Sequence, residues 1–254
     1  MLRMRIPVTS SHAKTALRAT GITRSFPDEP AAILQDVSLE LYEGEFATIL
    51  GLSGSGKTTL FNVLAGLDKP DAGTIEVNGK LGYMMQKDLL LPWKRLIDNI
   101  ALPFVLAGDS RRVAREKAAK HLDRFGLAGM ERRFPTALSG GQRQRAALLR
   151  TYLHGGNVLL LDEPFAGIDA ITRKDLHRWL KSLQQELKLS ILLVTHDIEE
   201  AMALSDRIFD LSAGHPAALH PPVDATAGDE STMARLLTLI YTTREGTRFE
   251  GDPS

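Results

Sequence analysis

The chain has 254 residues, 43% hydrophobic and 24% charged, which suits one or two globular domains with a real core. Lys+Arg and Asp+Glu each number 31, so the formal net charge is zero and nothing in the balance points to a nucleic-acid partner. There is no cysteine, which excludes disulfides, thiolate metal sites and a cysteine nucleophile and fits a cytosolic protein.

The stretch MLRMRIPVTSSHAKT, residues 1–15, holds two arginines and then turns polar without the apolar centre of a signal peptide; it is expected to be a disordered leader. Residues 16–50 are β-rich. Val37, Leu39 and Leu41 alternate with Ser38, Glu40 and Tyr42, the pattern of a half-buried strand, and GEFATIL at 44–50 is a more continuously apolar one. GLSGSGKTT at 51–59 follows, and TTLFNVLAGL reads as the helix after it. GTIEVNGK at 73–80 alternates Ile75 and Val77. Its Asn78-Gly79 pair is a hairpin signal, with LGYMMQ at 81–86 as the expected returning strand.

From about 88 to 153 apolar and charged residues recur at helical spacing, as in RRVAREKAAKHLDRFGL, so a helical subdomain is expected there, inserted into a sheet protein. No apolar run reaches the roughly 18 residues of a membrane span; the longest candidate, IALPFVLAG at 100–108, is interrupted by Pro103. NVLLLDEP at 157–164 and SILLVTHD at 190–197 read as buried parallel strands, with DLHRWLKSLQQEL as a helix between them. SDRIFDLS at 205–212 gives one more strand. HPAALHPPVDATAGDE reads as a loop or linker, MARLLTLIY as a helix, and a polar tail ends the sequence. The expected organisation is a leader over 1–15, one main domain over 16–212 and an extension over 213–254.

The stretch at 51–59 matches G-x-x-x-x-G-K-[ST] between a strand and a helix. Gly51, Ser53, Gly54, Ser55 and Gly56 would wrap backbone N–H groups around a phosphate chain, aided by the helix dipole. Lys57 would reach the β- and γ-phosphates, with Thr58 as a Mg²⁺ ligand and Thr59 beside it. Asp162 and Glu163 end the strand VLLLD, and ligands of open α/β sheets lie at carboxyl ends of strands. There Asp162 is the candidate Mg²⁺ ligand and Glu163 the candidate polariser of an attacking water. An acidic pair before Pro164 is by itself equally a helix start. His196 ends strand ILLVT and Gln86 follows GYMM; alone each reads as an ordinary polar residue at a strand end, while a γ-phosphate contact suits His196 in this setting.

The stretch LSGGQRQRAALLR at 138–150 poses a puzzle. Ser139 and Gln142 have capping-box spacing, yet Gly140 and Gly141 occupy the first two helical positions, where each costs about 1 kcal/mol against alanine. A serine-capped, glycine-opened helix end is a second phosphate device. Spacing leaves open whether it meets the same nucleotide or one held by a second copy.

Together GLSGSGKTT, Gln86, LSGGQ, VLLLDEP, AGID and TH196D resemble, in order, the motif set of the ATP-binding cassette (ABC) ATPases, over roughly residues 16–212. The resemblance implies an α/β P-loop NTPase (RecA-like) core, an N-terminal antiparallel β subdomain and an inserted α-helical subdomain. It implies ATP hydrolysis with Mg²⁺ and a head-to-tail homodimer, in which Ser139, Gly140, Gly141 and Gln142 of one copy close over the ATP on the P-loop of the other. By the same resemblance Glu163 is the general base and His196 the switch histidine. Gln86 is a sensor of Mg²⁺, the γ-phosphate and the membrane partner, and Asp169 belongs to the loop touching the second subunit. Phe26 falls where an aromatic stacks on adenine; from its sequence alone it is as well a core or edge-strand residue.

MMQKDLLLPWKRLIDNIALP at 84–103 is similar to cassettes of importers for nitrate, sulfonates, taurine and thiamine-pyrimidine precursors. That likeness implies a transmembrane permease partner, an extracytoplasmic solute-binding protein acting indirectly, and a peripheral position on the cytoplasmic face of the membrane. Leu89, Leu90, Leu91 and Trp93 either line the groove for the permease or belong to the core of the helical lobe. The pattern departs at AGID, where GALD-like strings are more usual, and at RTYLHGGN, which replaces an alanine-rich segment. A non-transport member acting in DNA repair or translation is the rival reading; the long insertions, tandem cassettes or basic patches usual there are missing from the sequence.

Overall fold

Alternation in the central strands sets up a layered fold. The computed structural model describes residues 14–27, 31–211 and 216–225. The helix expected over MARLLTLIY lies outside the described residues, as does nearly all of the expected leader. In chain order the first elements are β1 (Thr15–Arg24), β2 (Leu34–Tyr42), β3 (Phe46–Leu50), α1 (Lys57–Leu64), β4 (Ala72–Val77) and β5 (Leu81–Met84). Then come α2 (Leu96–Ile100), α3 (Leu102–Leu106), α4 (Arg111–Ala119), a 3₁₀ turn at Pro135–Ala137 and α5 (Gly140–Gly155). The last are β6 (Val158–Asp162), α6 (Ala170–Leu187), β7 (Ser190–Thr195), α7 (Ile198–Leu204), β8 (Arg207–Asp210) and β9 (Val223–Asp224).

Two sheets result. A three-stranded antiparallel sheet has the order β2-β1-β4, and a six-stranded sheet the order β5-β6-β7-β3-β8-β9, parallel except for β9. Side chains of β6 and β7 point alternately to two cores. Leu159, Leu161, Ile191 and Leu193 share one with α5 and α6; Leu160, Leu192 and Val194 share the other with α1, β1 and β2. In register, Leu50 pairs with Thr195 and Asp162 with Val194, so β3, β6 and β7 end together on one rim.

The hairpin expected at Asn78-Gly79 does not form. β4 pairs with β1, Leu17 opposite Val77, whereas β5 lies parallel to β6, Tyr83 opposite Leu160. The Asn-Gly pair turns the chain from one sheet to the other. Asn78 donates its side-chain N–H to the carbonyl of Thr15 at 2.6 Å, and Gly79 takes φ 121°. Partner choice follows burial: the parallel position gives β5 a neighbouring strand on one side and the face of α5 above it.

The stretch from 88 to 153 is helical but broken. Pro103 lies in the first turn of α3 instead of interrupting a longer helix, and α4 stops at Ala119. The Pro- and Ala-rich stretch read as a loop is partly sheet: β9 pairs with β8, and beside the bridge with Leu34 the Ala217 N–H donates to the Ile33 carbonyl and the Ala217 carbonyl accepts from the Gln35 N–H.

RTYLHGGN has a packing reason. A Cβ on Gly155 would lie 2.0 Å from the Gly82 nitrogen, and one on Gly82 would lie 2.7 Å from the Thr151 carbonyl. Helix α5 and strand β5 therefore touch backbone to backbone. Gly155→Ala is expected to force them apart and cost about 1–3 kcal/mol; a thermal melt of the purified variant would read this as a lowered midpoint.

Candidate functional site

Between β3 and α1 the chain turns through the glycine-rich residues 51–56. Gly54 and Gly56 have φ 83° and 86°, a left-handed conformation that side chains disfavour. A Cβ on Gly51 would lie 2.8 Å from Ser55 Oγ and 2.9 Å from the Leu211 carbonyl. The Ser55 hydroxyl is buried and has no protein partner among the described residues. Lys57 is 6% exposed, and its Nζ donates to the carbonyls of Gly51 at 2.9 Å and Leu52 at 2.6 Å. Burial pushes its ammonium below the ordinary value, opposed by the carboxylates of Glu163 and Asp162.

A cavity of about 400 Å³ opens over this turn, lined by Ile33, Ser53, Gly54, Gly56, Lys57, Thr58, Thr59, Gln86, Asp162 and Glu163. Asp162 ends β6 and is buried; its Oδ2 accepts from the Thr58 hydroxyl at 3.1 Å and from the Tyr83 hydroxyl at 3.4 Å. Burial raises its carboxyl above the usual range despite both hydrogen bonds. Glu163 is held at φ 43°, a strained value for this residue type, and its N–H donates to the Val194 carbonyl at 2.9 Å. Gln86 Nε2 donates to Glu163 Oε2 at 3.2 Å, and His196 Nδ1 lies 3.1 Å from Glu163 Oε1. Four side chains from the ends of β5, β6 and β7 thus meet beside the glycine-rich turn.

The remaining candidates lie elsewhere. Ser139 caps α5 in a reciprocal capping box: its Oγ accepts from the Gln142 N–H at 3.2 Å, and Gln142 Oε1 accepts from the Ser139 N–H at 3.0 Å. A Cβ on Gly140 would meet only the flexible Arg143 guanidinium, at 4.0 Å. Gly141 is a different case, since a Cβ there would lie 3.1 Å from Thr172 Cγ2 on α6, so contact within the chain already explains that glycine. Asp169 is exposed and caps α6, accepting the Thr172 N–H at 3.0 Å, which holds its carboxyl below the usual range. Phe26 is half-buried after β1, with the Arg24 guanidinium 4.6 Å over its ring. Phe26, Ser139, Gly140, Gly141, Gln142 and Asp169 are not among the residues lining the P-loop cavity.

A second, more apolar groove of about 180 Å³ lies between the Met85–Leu89 stretch and α3, where Leu89, Leu102, Pro103 and Leu106 line it. Of the four residues weighed for such a groove, Leu89 alone is in its wall. Leu90 is 7% exposed and belongs to the core, and Leu91 and Trp93 lie outside the lining. Tyr83 and Ile33 are site residues that motif reading missed; neither belongs to a short motif, and only the pairing of β5 with β6 brings the tyrosine to Asp162.

The family model described as ABC transporter matches residues 34–166, from the start of β2 to just beyond Glu163. The chain belongs to the ABC transporter family. As such it is an ATP-binding ATPase with the P-loop α/β fold expected from its motifs. It is 49% identical over 179 residues to the formylaminopyrimidine import ATP-binding protein ThiZ of Halalkalibacterium halodurans, covering 70% of this chain and 72% of that protein. It is 44% identical over 202 residues to the aliphatic sulfonates import ATP-binding protein SsuB 1 of Rhodococcus jostii, covering 77% and 79%. A dimeric ATP-binding cassette solved in a post-hydrolysis state with ADP and Pi superposes with a TM-score of 0.70 at 28% identity, covering 82% of this chain and 98% of that one.

Proposed function

We propose that this ABC ATPase drives import of a small organic or inorganic solute through a separate transmembrane permease. One observation carries the hydrolytic part: Gln86 and His196 converge on the two oxygens of Glu163 at the mouth of the P-loop cavity. In this reading Gly51, Ser53, Gly54, Ser55 and Gly56 cradle the phosphates, and the partnerless Ser55 hydroxyl gains an acceptor there. Lys57 supplies positive charge to the β- and γ-phosphates, with Thr59 at the cavity wall. Glu163 accepts the proton of the attacking water, and His196 orients Glu163 and contacts the γ-phosphate.

The donor set suits Mg²⁺: a threonine hydroxyl and a buried carboxylate 3.1 Å apart are hard oxygen ligands, with Gln86 close by. Thr58 and Asp162 would hold the ion, Gln86 would sense it, and when bound it supplies neutralisation of phosphate charge.

Ser139, Gly140, Gly141 and Gln142 serve the nucleotide of a second copy, and Asp169 lies at the same dimer interface. Their absence from this chain's own P-loop cavity supports that assignment, as does the dimeric cassette of similar fold. Phe26 stacks on adenine. The groove at Leu89, Leu102 and Leu106 receives a segment of the permease. Among the described residues no helix is long and apolar enough to cross a membrane. The proposed pairing with a permease puts the chain peripherally on the cytoplasmic face, in indirect contact with an extracytoplasmic binding protein. The solute class follows the relatives, named for import of formylaminopyrimidines and of aliphatic sulfonates.

The test is co-purification of the tagged protein from gently solubilised membranes. Recovery of a multi-span subunit, whose binding protein then takes up sulfonates or aminopyrimidines, is the expected result. Recovery from the soluble fraction alone, with ATPase activity intact, would move the function to the non-transport branch of the family.

A further inference from the structure

We propose that Arg173 is a positioning residue for hydrolysis: its guanidinium ties the turn after Glu163 to the turn that carries His196, and so fixes one against the other. The inference rests on the assignment of Glu163 and His196 to the reaction.

Arg173 stands in the first turn of α6, and its two terminal nitrogens go to different loops. Nη1 donates to Asp197 Oδ2 at 3.0 Å, and Nη2 donates to the Ile168 carbonyl at 2.9 Å. The pair with Asp197 is about one-third exposed on each side, so solvent does not fully screen it. A planar fork that spans a carboxylate and a carbonyl is something a lysine point charge cannot reproduce.

Both ends of this tie are themselves pinned. On one side the segment from Glu163 to Asp169 is folded by bonds from the Ala166 N–H to the Glu163 carbonyl at 3.1 Å and from the Ile168 N–H to the Phe165 carbonyl at 3.3 Å. On the other, Asp197 caps α7 by accepting the Glu200 N–H at 3.1 Å, and its own N–H donates to Thr195 Oγ1 at 3.1 Å. The Thr195 hydroxyl in turn donates to the buried Glu200 Oε2 at 2.9 Å. His196 therefore sits between two anchored neighbours, while its own side chain is 56% exposed and touches Glu163 at 3.1 Å. Little else holds that imidazole, so the distance between the two turns decides whether it reaches Glu163. The Glu163 N–H bond to Val194 ties the strand ends, and Arg173 ties the turns beyond them, without lining the P-loop cavity.

A misplacement of about 1 Å at a reacting group can cost about 10²-fold in rate. Arg173→Ala is expected to lower kcat by about 10–100-fold while KM and the nucleotide dissociation constant move by less than about threefold. Arg173→Lys, which serves one acceptor, should recover part of the rate. In an Arg173→Ala/His196→Ala double variant the loss should be no larger than for His196→Ala alone, because both changes remove the same contact. A merely structural arginine would instead add its loss to that of the histidine variant. Should Arg173→Ala not fold, Asp197→Asn keeps the helix cap, removes the charge and is expected to lower kcat several-fold at unchanged nucleotide affinity.

The wild type and Glu163→Gln are measured alongside. A rate that survives Glu163→Gln overturns the assignment of the site and this inference with it. A rate lost in Glu163→Gln but kept within about twofold in Arg173→Ala, or a loss additive with His196→Ala, overturns this inference alone.

Discussion

Glu163→Gln retains ATP binding and slows steady-state hydrolysis by about 10²–10⁴-fold, the range expected for removing a general base. The amide matches the carboxylate in shape but cannot take up a proton. Its carbonyl oxygen can still accept from Gln86 or His196, so the site keeps its packing. The strained backbone at φ 43° is unaffected by the exchange, so the melting temperature should move little. With chemistry blocked and binding intact, the variant accumulates as an ATP-bound dimer. Phosphate release together with light scattering in saturating Mg-ATP checks both halves. A full rate would remove Glu163 from the reaction, and a monomeric variant would count against the two-copy site.

Lys57→Ala fails one step earlier, at binding. The Lys57 ammonium is 6% exposed and rests on two carbonyls of its own loop. A phosphate chain would replace weak neutral acceptors with charged ones, and hydrogen bonds to charged groups contribute about 1.5–3 kcal/mol each. One to two such bonds correspond to a loss of about 10–10⁴-fold in nucleotide affinity. Titration calorimetry with ATP separates the two variants: the glutamine variant keeps the wild-type affinity, and the alanine variant binds more weakly by that factor. Unchanged affinity in Lys57→Ala would mean that the P-loop cavity is not where the nucleotide lies.

Much of this site was legible in advance because its parts are local. A P-loop is nine consecutive residues between a strand and a helix, and the Ser139–Gln142 box is a four-residue pattern; both formed as read. Asp162 and His196 were placed by a general property of parallel sheets, that strand ends share a rim. What failed was decided at long range. Asn78-Gly79 carried a sound hairpin signal, yet β5 found its partner 77 positions on, at β6, where Leu81 pairs with Val158. Gly141, read as part of a phosphate device, also has Thr172 of α6 as a neighbour, which no local pattern reveals. Ala217 and Val223 joined sheet edges despite a composition rich in turn formers. Tyr83 and Arg173 became visible only when loops distant in sequence were seen to meet.

The two hydrogen bonds on Glu163 have a consequence for an isolated cassette. Gln86 approaches one carboxylate oxygen and His196 the other, and each oxygen keeps a second lone pair for a water, so the two contacts fix the direction in which the base faces. The pair acts as a mount for the base. Gln86 is also the near end of the Lys87–Leu89 stretch, and Arg150 grips that stretch through the carbonyls of Asp88 and Leu89 at 2.7 and 2.9 Å. Leu89 is in the wall of the apolar groove. An occupant of that groove would touch the same short stretch that begins at Gln86, and so would bear on the mount of the base.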